Sequence, residues 1–289
     1  MRLGVTFPQT EITADPEAVR AYAEAAAELG YDHLLAYDHV VGADVANRPN
    51  WRGPYTHRTM FHEPFVLFGY LAGIVPNLEL ATNIIILPQR QTALVAKQAA
   101  EVDVLTRGKF RLGVGLGWNE VEYQTLNEDF SNRGKRSEEQ IRLLRAFFSK
   151  ESVTFDGRWH HVDAVGINPL PVQRPIPIWL GGMSDATLRR VANLGDGWFP
   201  QGLPDAANED RLSRLAKYMR EAERSPASIG IEARISIAGG TPDDWRRTYS
   251  RWQQLGATHI GVNTMRAGFQ AAREHIDAIA HVRDVLRGL

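Results

Sequence analysis

The sequence contains no cysteine among its 289 residues. A chain without thiols has no disulfide framework, no thiolate nucleophile, no iron–sulfur cluster and no cysteine-ligated zinc site. Redox chemistry in this protein would therefore need a borrowed organic cofactor.

The sequence also lacks an excess of charge and long apolar runs. Its 33 basic and 34 acidic side chains give a net charge of −1, whereas proteins that bind nucleic acid or anionic lipid usually carry a basic excess. No apolar run approaches the ~20 residues that span a bilayer, and the N-terminus does not resemble a signal peptide. We therefore expect a cytoplasmic protein with no nucleic-acid and no membrane partner.

What the sequence does contain is a repeated alternation of short apolar, β-branched segments with segments of helical periodicity. In the first cycle, a strand at 3–7 is followed by Asp15-Pro16, an N-cap with proline at the first helical position, and by a helix that ends at Gly30. Further strands are predicted at 33–38, 78–87, 110–116, 176–180, 198–200, 231–238 and 259–263. Further helices are predicted to begin near Glu63, Thr92, Ser137, Ser184, Asp205, Thr241 and Ala267.

Eight strand–helix cycles without a linker predict one domain over residues 1–289, a single (β/α)8 TIM barrel. A doubly wound open sheet is the alternative. Two connections exceed the usual ~2–6 residues. The loop at 39–62 follows the carboxyl end of strand two, where barrel active sites lie, and is interpreted as a lid or substrate wall. The insertion at 151–174, before strand five, has no clear role in the sequence.

The dipeptide Asp38-His39 ends strand two and is the first candidate for chemistry. Either side chain could exchange a proton near neutral pH if it were buried. The alternative is structural: Asp38 could cap the following loop, and His39 could bond to backbone.

Two glycine-rich strand exits are candidates for cofactor binding. Gly113, Gly115 and Gly117 alternate before Trp118, a spacing that differs from the dinucleotide fingerprint and could instead be a tight strand exit. Gly181-Gly182 and Ser184 open a helix, so they could bind an anion, or Ser184 could be a simple N-cap. Further phosphate contacts could come from Arg90, Arg133, Lys135 and Arg136.

The nine histidines form no metal-binding motif. The sequence has no H-E-x-x-H, and the neighbouring His160 and His161 would point apart in an extended chain. We therefore expect no metal site. A G-x-S-x-G nucleophile elbow is also absent.

Taken together, these segments resemble the luciferase-like monooxygenase superfamily, the bacterial-luciferase-type barrels that bind reduced flavin or a deazaflavin coenzyme. The matching segments keep the family order as far as about residue 200, and the last third matches only in its strand–helix rhythm. They are Leu3-Gly4-Val5-Thr6-Phe7-Pro8, residues 25–39, Leu80-Ala81-Thr82-Asn83-Ile84 with Leu87-Pro88, residues 96–106, residues 108–118, Arg133-Gly134-Lys135-Arg136, residues 175–182 and Gly195-Asp196-Gly197-Trp198.

The resemblance implies a role for particular residues of this chain. It places Asp38 and His39 beside the reactive face of the cofactor ring, as the catalytic pair. A bulge in strand three would support the ring, often with a non-prolyl cis peptide, which here would be Asn83–Ile84. The cofactor-binding residues that it implies are Thr82, Asn83 and Ile84 under the ring, Gly115, Gly117 and Trp118 along the ribityl chain, and Gly181, Gly182 and Ser184 at the phosphate.

The length of the chain and its Asp38-His39 favour the branch that uses the deazaflavin coenzyme F420 for hydride transfer. In that branch's sugar-phosphate dehydrogenases, an acidic proton donor follows the glycines of strand four, where this chain has Trp118. This departure argues against a sugar phosphate and indicates an apolar or aromatic substrate, bound by Trp51, Tyr55 and Phe61.

Two other functions remain open at this point. One is a two-component monooxygenase that takes FMNH2 from a separate flavin reductase and oxygenates a small organic substrate. The other is a catalytically silent flavin-binding barrel. Relatives in the superfamily are commonly dimers, so a homodimer is expected, with a small-molecule substrate and a separate flavin or deazaflavin reductase as partners.

Overall fold

Eight parallel strands close into a ring in the computed structural model, which describes residues 1–289. The chain has eleven strands in all, three of them outside the ring: β1 (Arg2–Thr6), β2 (His33–Ala36), β3 (Glu79–Thr82), β4 (Ile85–Ile86), β5 (Phe110–Gly115), β6 (Val153–Asp156), β7 (His161–Val165), β8 (Ile178–Gly181), β9 (Gly197–Phe199), β10 (Gly230–Ser236) and β11 (His259–Asn263). The ring runs β1-β2-β3-β5-β8-β9-β10-β11 and returns to β1, where Val5 pairs with Val262. The predicted TIM barrel is confirmed, and the open sheet is excluded.

The third strand of the barrel is interrupted, so the prediction of one continuous strand at 78–87 is wrong. β3 ends at Thr82, a cis peptide bond joins Asn83 to Ile84, and β4 continues along β5 outside the ring. The bulge and the non-prolyl cis bond are therefore at the position that the family resemblance implies.

Nine α-helices surround the barrel. They are α1 (Pro16–Glu28), α2 (Pro64–Ile74), α3 (Thr92–Leu105), α4 (Glu120–Thr125), α5 (Arg133–Ser149), α6 (Asp185–Leu194), α7 (Ala206–Glu221), α8 (Pro242–Gln254) and α9 (Ala272–Val285). The helix starts predicted at Asp15-Pro16 and near Glu63, Ser184, Asp205 and Thr241 are confirmed, and each of Asp15, Glu63, Ser184, Asp205 and Thr241 is an N-cap that accepts a backbone N–H of its helix.

Two helix starts differ from the prediction, and α4 was not predicted. α5 begins at Arg133, because Ser137 is not a cap: its hydroxyl donates to Gly134 O within the first turn (2.9 Å). α9 begins at Ala272 rather than near Ala267, because Glu274 accepts the backbone N–H groups of the two residues that precede the helix.

The two long connections have different structures. The loop at 39–62 contains a 3-10 turn at Val45–Asn47 and borders the carboxyl ends of the strands. The insertion at 151–174 contains the antiparallel hairpin of β6 and β7, which does not pair with the barrel. The hairpin is held to α5 by Glu139, whose carboxylate accepts the backbone N–H groups of Arg158, Trp159 and His160.

The inside of the barrel is layered. At the amino ends of the strands, buried charged side chains pair with one another, among them His33, Arg111 and Glu232. Above them lies a small apolar cluster of Leu35, Ala81, Trp179 and Phe199, against which Ile84 packs. A larger core of 57 buried residues includes the apolar residues packed between strands and helices. No helix is long and apolar enough to cross a bilayer.

Candidate active site

A cavity of about 440 Å³ opens at the carboxyl ends of the strands, above the apolar layer. It brings together most of the predicted site residues, although these lie up to 146 positions apart, from Asp38 to Ser184. Those that line it are Asp38, His39, Tyr55, Asn83, Ile84, Gly115, Gly117, Trp118, Gly181, Gly182 and Ser184. Thr82, Trp51 and Phe61 do not line it, and neither do the four cations suggested as phosphate contacts, Arg90, Arg133, Lys135 and Arg136.

Ile84 forms an apolar floor for this cavity between two glycines. A Cβ atom on Gly115 would collide with the Ile84 side chain, and a Cβ atom on Gly181 would come within 3.0 Å of Ile84 Cγ2. The Ile84 side chain occupies the space where a Cβ atom would lie at each position. Both positions therefore need glycine because Ile84 approaches their backbone closely. The result is a flat apolar surface that faces the cavity from the interrupted third strand.

Thr82 lies below this floor and is fully buried. Its hydroxyl donates to Gly113 O (2.7 Å) and accepts from Gly113 N (2.8 Å), so it joins β3 to β5 at the point where the regular ladder is interrupted. A Cβ atom on Gly113 would collide with Thr82 O. Thr82 therefore supports the floor from beneath and has no contact with the cavity.

Asp38 is fully engaged in positioning the same floor. Its carboxylate accepts from Ile86 N (2.9 Å) and from Arg90 Nη2 (2.7 Å). Arg90 also donates to Glu63, the N-cap of α2 (2.9 Å). Burial alone would lower the pKa of Arg90, but the two carboxylates outweigh it and raise that pKa. Arg90 is therefore an ion-pair partner of Asp38 and Glu63, and its donors are not free for a phosphate.

His39 is paired with Glu122, which the sequence did not single out. His39 Nδ1 lies 2.9 Å from Glu122 Oε2, and the Glu122 side chain is completely buried. Glu122 Oε1 accepts from Val40 N (2.8 Å), so both carboxylate oxygens face donors. A carboxylate in this position accepts a hydrogen bond from Nδ1–H, so the neutral ring keeps its proton on Nδ1 and Nε2 is its basic nitrogen.

Aromatic side chains surround the His39 ring. The ring centroids of Phe61, Tyr55 and Trp118 lie 4.7, 5.0 and 5.8 Å from the imidazole centroid. Trp51 does not reach His39 but lies 5.7 Å from Trp118, in an outer pocket of the 39–62 loop. The three aromatic residues predicted to bind substrate thus form one continuous surface with Trp118, which is 42% exposed and lies between the inner and outer parts.

The exit of β8 has the geometry of an anion-binding turn. Gly182 has a φ of +129°, a value that favours glycine, and its carbonyl accepts from Trp198 Nε1 (2.9 Å). Ser184 caps α6 by accepting from Thr187 N (3.2 Å). The first N–H groups of α6 have no partners within the helix and border the cavity. Ser184 is therefore an N-cap, and this does not conflict with a role at an anion.

The residues missed by sequence reasoning, above all Glu122, act over long distances in the chain. Asn119 caps α4 by accepting from Val121 N, a local pattern that could have indicated this short helix. No local signal, however, shows that Glu122 reaches a histidine 83 positions away. No three His, Asp or Glu side chains lie close enough together to hold a metal ion.

Comparison with known proteins gives a match over nearly the whole chain. The family described as luciferase-like monooxygenase matches residues 1–287. The protein Rv0940c of Mycobacterium tuberculosis is 34% identical over 249 residues, which cover 83% of this chain and 84% of that protein. The FMNH2-dependent dimethylsulfone monooxygenase of Pseudomonas fluorescens is 34% identical over 157 residues, or 53% of this chain and 42% of that enzyme.

Among solved structures, an F420-dependent secondary alcohol dehydrogenase in complex with an F420-acetone adduct superposes with a TM-score of 0.80. The alignment covers 99% of both chains, with 16% sequence identity. At this identity the likeness establishes the barrel fold and nothing finer.

Proposed function

This chain belongs to the luciferase-like monooxygenase family, and on that premise we propose that it is an oxidoreductase that uses the deazaflavin coenzyme F420. The proposed reaction is hydride transfer between the coenzyme and a small organic substrate. The observation that carries the proposal is that the Ile84 floor and the His39–Glu122 pair border one cavity. Members of this family are enzymes, so a silent barrel is the weakest of the alternatives.

The residues present fit a flat ring with a phosphate-bearing chain. Ile84 offers an apolar surface to the ring, and the backbone around Gly182 and Ser184 offers N–H donors to a phosphate. Asp38 and Thr82 hold the floor from the side and from below. When bound, the reduced coenzyme supplies the hydride, and the chain supplies orientation and a proton route.

His39 is the group proposed to hold or move the proton. The Glu122 carboxylate fixes the proton of the neutral ring on Nδ1, and the free electron pair of Nε2 can then accept a proton. The surrounding Tyr55, Phe61 and Trp118 rings limit the access of water to this nitrogen. Asp38, held by Arg90 and Ile86 N, acts as a positioning residue.

A cofactor titration tests the proposal. The full chain is titrated anaerobically with F420 and with FMN, each in its oxidised and reduced form, and binding is followed by absorbance. We expect F420 to bind at least about tenfold more tightly than FMN, a difference of ~1.4 kcal/mol. Ile84→Asp should abolish binding, because it places a charge under the ring, whereas Val172→Asp at an exposed surface position should not. Tight binding of FMN alone would contradict the proposal.

An FMNH2-dependent monooxygenase is the second candidate, and it is favoured by the similarity to the dimethylsulfone monooxygenase. It predicts that the chain accelerates oxygen consumption with reduced FMN and a small organic substrate, beyond the oxidation of free flavin. Under this alternative, a separate flavin reductase supplies the FMNH2. For either candidate we propose a homodimer, which sedimentation velocity would test.

A further inference from the structure

We propose that Arg234 and the hydroxyl of Tyr37 form an anion-binding subsite in this cavity, which selects substrates that carry a carboxylate group. The proposal rests on the proposed function only in taking this cavity as the substrate site. It adds a specific charge requirement to the aromatic surface around His39.

The first argument is the charge balance of the cavity. Its three charged lining side chains, apart from His39, are Asp38, Glu232 and Arg234. Asp38 is paired with Arg90 at 2.7 Å, and Glu232 with Arg111 at 2.7 Å. Arg234 has no carboxylate within 4.0 Å, and its one hydrogen bond runs from Nη1 to Tyr37 Oη (3.0 Å). The cavity therefore carries one positive charge that the chain itself does not neutralise.

The second argument is the position of Arg234 above a layer that is already paired. Glu232 and Arg234 are two residues apart on β10, so their side chains lie on the same, inward face. Glu232 is completely paired: His33 Nε2 contacts one of its oxygens at 2.5 Å, and Arg111 donates to the other. Both oxygens of Glu232 thus already have a partner and neither forms an ion pair with the guanidinium above it, which faces the cavity half-buried.

The third argument is the chemistry of a guanidinium in such a place. A half-buried cation without a counter-ion is costly, and a ligand that supplies the anion removes that cost. The planar fork of arginine matches a planar carboxylate with two parallel N–H donors, and the bond to Tyr37 fixes the orientation of the fork. A carboxylate, with two oxygens in one plane, is the anion that we infer for this site.

The subsite borders the place proposed for proton transfer. Burial, with a further contribution from Tyr37, raises the pKa of the Tyr55 hydroxyl, while the positive charges of Arg266 and Arg234 oppose this rise. Tyr55 also packs against the His39 ring at 5.0 Å. A substrate with an apolar body and a carboxylate end could therefore contact the aromatic surface and Arg234 together.

A matched pair of probes tests the inference by calorimetric titration of the full chain, with and without bound cofactor. The probes are 3-phenylpropanoate and 3-phenylpropanamide, which share shape and differ in charge. We expect the acid to bind at least about tenfold more tightly than the amide, and Arg234→Gln to remove this preference with less than about a twofold change for the amide. Arg234→Lys should retain part of the preference, because it keeps the charge and loses the fork.

Two further variants make the result decisive. Arg142→Gln, at an exposed arginine of α5 that makes no ion pair and lies away from the cavity, should leave the binding of both probes unaffected. Tyr37→Phe removes only the orienting hydroxyl and should weaken the binding of the acid by about threefold. This variant keeps the inference testable if Arg234→Gln does not fold.

Equal binding of acid and amide to the wild-type chain, or no binding of either, would overturn the inference. The inference would also be overturned if Arg234→Gln lost affinity for F420 or FMN and still preferred the acid to the amide. Arg234 would then bind the cofactor and not the substrate. Because the acid–amide comparison needs no cofactor, failure of the proposed redox function would leave it readable.

Discussion

At the scale of single residues, the pairing of His39 with Glu122 decides which nitrogen of the imidazole is available. Glu122 Oε1 faces the backbone N–H of Val40, and Oε2 faces His39 Nδ1. A glutamine at this position would keep its oxygen on Val40 N, because its NH2 group cannot accept. It would therefore present an N–H donor to Nδ1 and favour the tautomer of His39 that carries its proton on Nε2.

We predict that Glu122→Gln lowers kcat about 10- to 100-fold and changes the pH profile of kcat, because it selects the wrong tautomer of His39. Nitrogen-15 chemical shifts of the imidazole would report the change of tautomer directly. Glu120→Gln is the matched control, since Glu120 lies on the same short helix, is exposed and makes no side-chain hydrogen bond. An unchanged pH profile in Glu122→Gln would assign Glu122 a purely structural role.

A second prediction at this scale concerns Thr82, whose hydroxyl both donates to and accepts from Gly113 in the buried barrel wall. Thr82→Val should lower the free energy of unfolding by about 1–3 kcal/mol, because it leaves a buried N–H and a buried C=O without partners.

The chain offers a close control for this substitution. Thr258 makes the same double contact with Ile231 at an exposed site, donating to its oxygen and accepting from its nitrogen, and its hydroxyl also lies 2.8 Å from His259 Nδ1. Water can replace the hydroxyl there, so Thr258→Val should cost less than Thr82→Val in urea denaturation. Equal losses of unfolding free energy in the two variants would show that burial does not determine the cost of removing the hydroxyl.

At the scale of elements, the hairpin of β6 and β7 packs Val153, Phe155 and Val162 against the core, and its polar attachment converges on one side chain, Glu139. Glu139 accepts from three successive backbone N–H groups and from His160 Nδ1 (2.7 Å), and His160 Nε2 contacts Thr92 Oγ1 at the start of α3 (2.7 Å). Burial alone would raise the pKa of Glu139, but the bond from His160 and the backbone donors outweigh it and lower that pKa.

We predict that Glu139→Ala releases the hairpin from the barrel without unfolding the barrel. Hydrogen exchange should become faster in residues 153–165, while β1, β2 and β11 keep their protection. Asp163→Ala is the control on the hairpin itself, since Asp163 is exposed and its side chain has no hydrogen-bond partner. If exchange in the hairpin stayed slow in Glu139→Ala, contacts other than Glu139 would be holding it.

The elements themselves were largely predictable, because strand and helix signals are local. Asp15-Pro16 and Thr241-Pro242 define helix starts through contacts within three residues. The errors arose where a residue of the right type has another partner: Ser137 bonds to Gly134 O inside α5 and caps nothing. The division of the third strand is also non-local, since it depends on Thr82 bonding to β5.

The site was predictable in its location and less so in its chemistry. Strand carboxyl ends converge in any such barrel, which is why His39 and Ile84 could be assigned to one place. The partners Glu122 and Arg90, and the absence of a partner for Arg234, depend on where long side chains meet in three dimensions. The sequence alone could therefore suggest Asp38 and His39 as a pair, but not that Asp38 is bound by Arg90.

At the scale of the whole molecule, ionisable groups inside the barrel are held in forms that depend on folding. The charges of His33 and Arg111 outweigh the burial of Glu232 and lower its pKa to about 2. Burial, followed by the charge of Arg111, lowers the pKa of His259 to about 3. Away from this network, burial lowers the pKa of His275 to about 4. In each case the unfolded chain binds a proton more readily than the folded one.

These shifts fix the direction in which stability changes with pH. A histidine whose folded pKa lies below 6.5 contributes stability that is complete above pH 6.5 and is lost as the pH falls towards 4 for His275 and 3 for His259. Glu232 adds a second loss between about pH 4.5 and 2. We predict that the free energy of unfolding falls by about 1–3 kcal/mol between pH 7 and pH 5, a range that allows for solvent screening at the half-buried His259.

Urea denaturation of two histidine variants at both pH values would separate the contributions. His275 is completely buried, and its Nδ1 lies 2.7 Å from Thr264 Oγ1, while its Nε2 has no hydrogen-bond partner. His275→Gln removes the group that must take up a proton, so it should reduce the difference between pH 7 and pH 5, whatever it does to stability at pH 7. His281→Gln, at an exposed position on the same helix, should retain the full difference. If His275→Gln retained it as well, the acid sensitivity between pH 7 and pH 5 would have to arise at the other histidines whose pKa burial lowers, His259 in the charged layer of the barrel and His62.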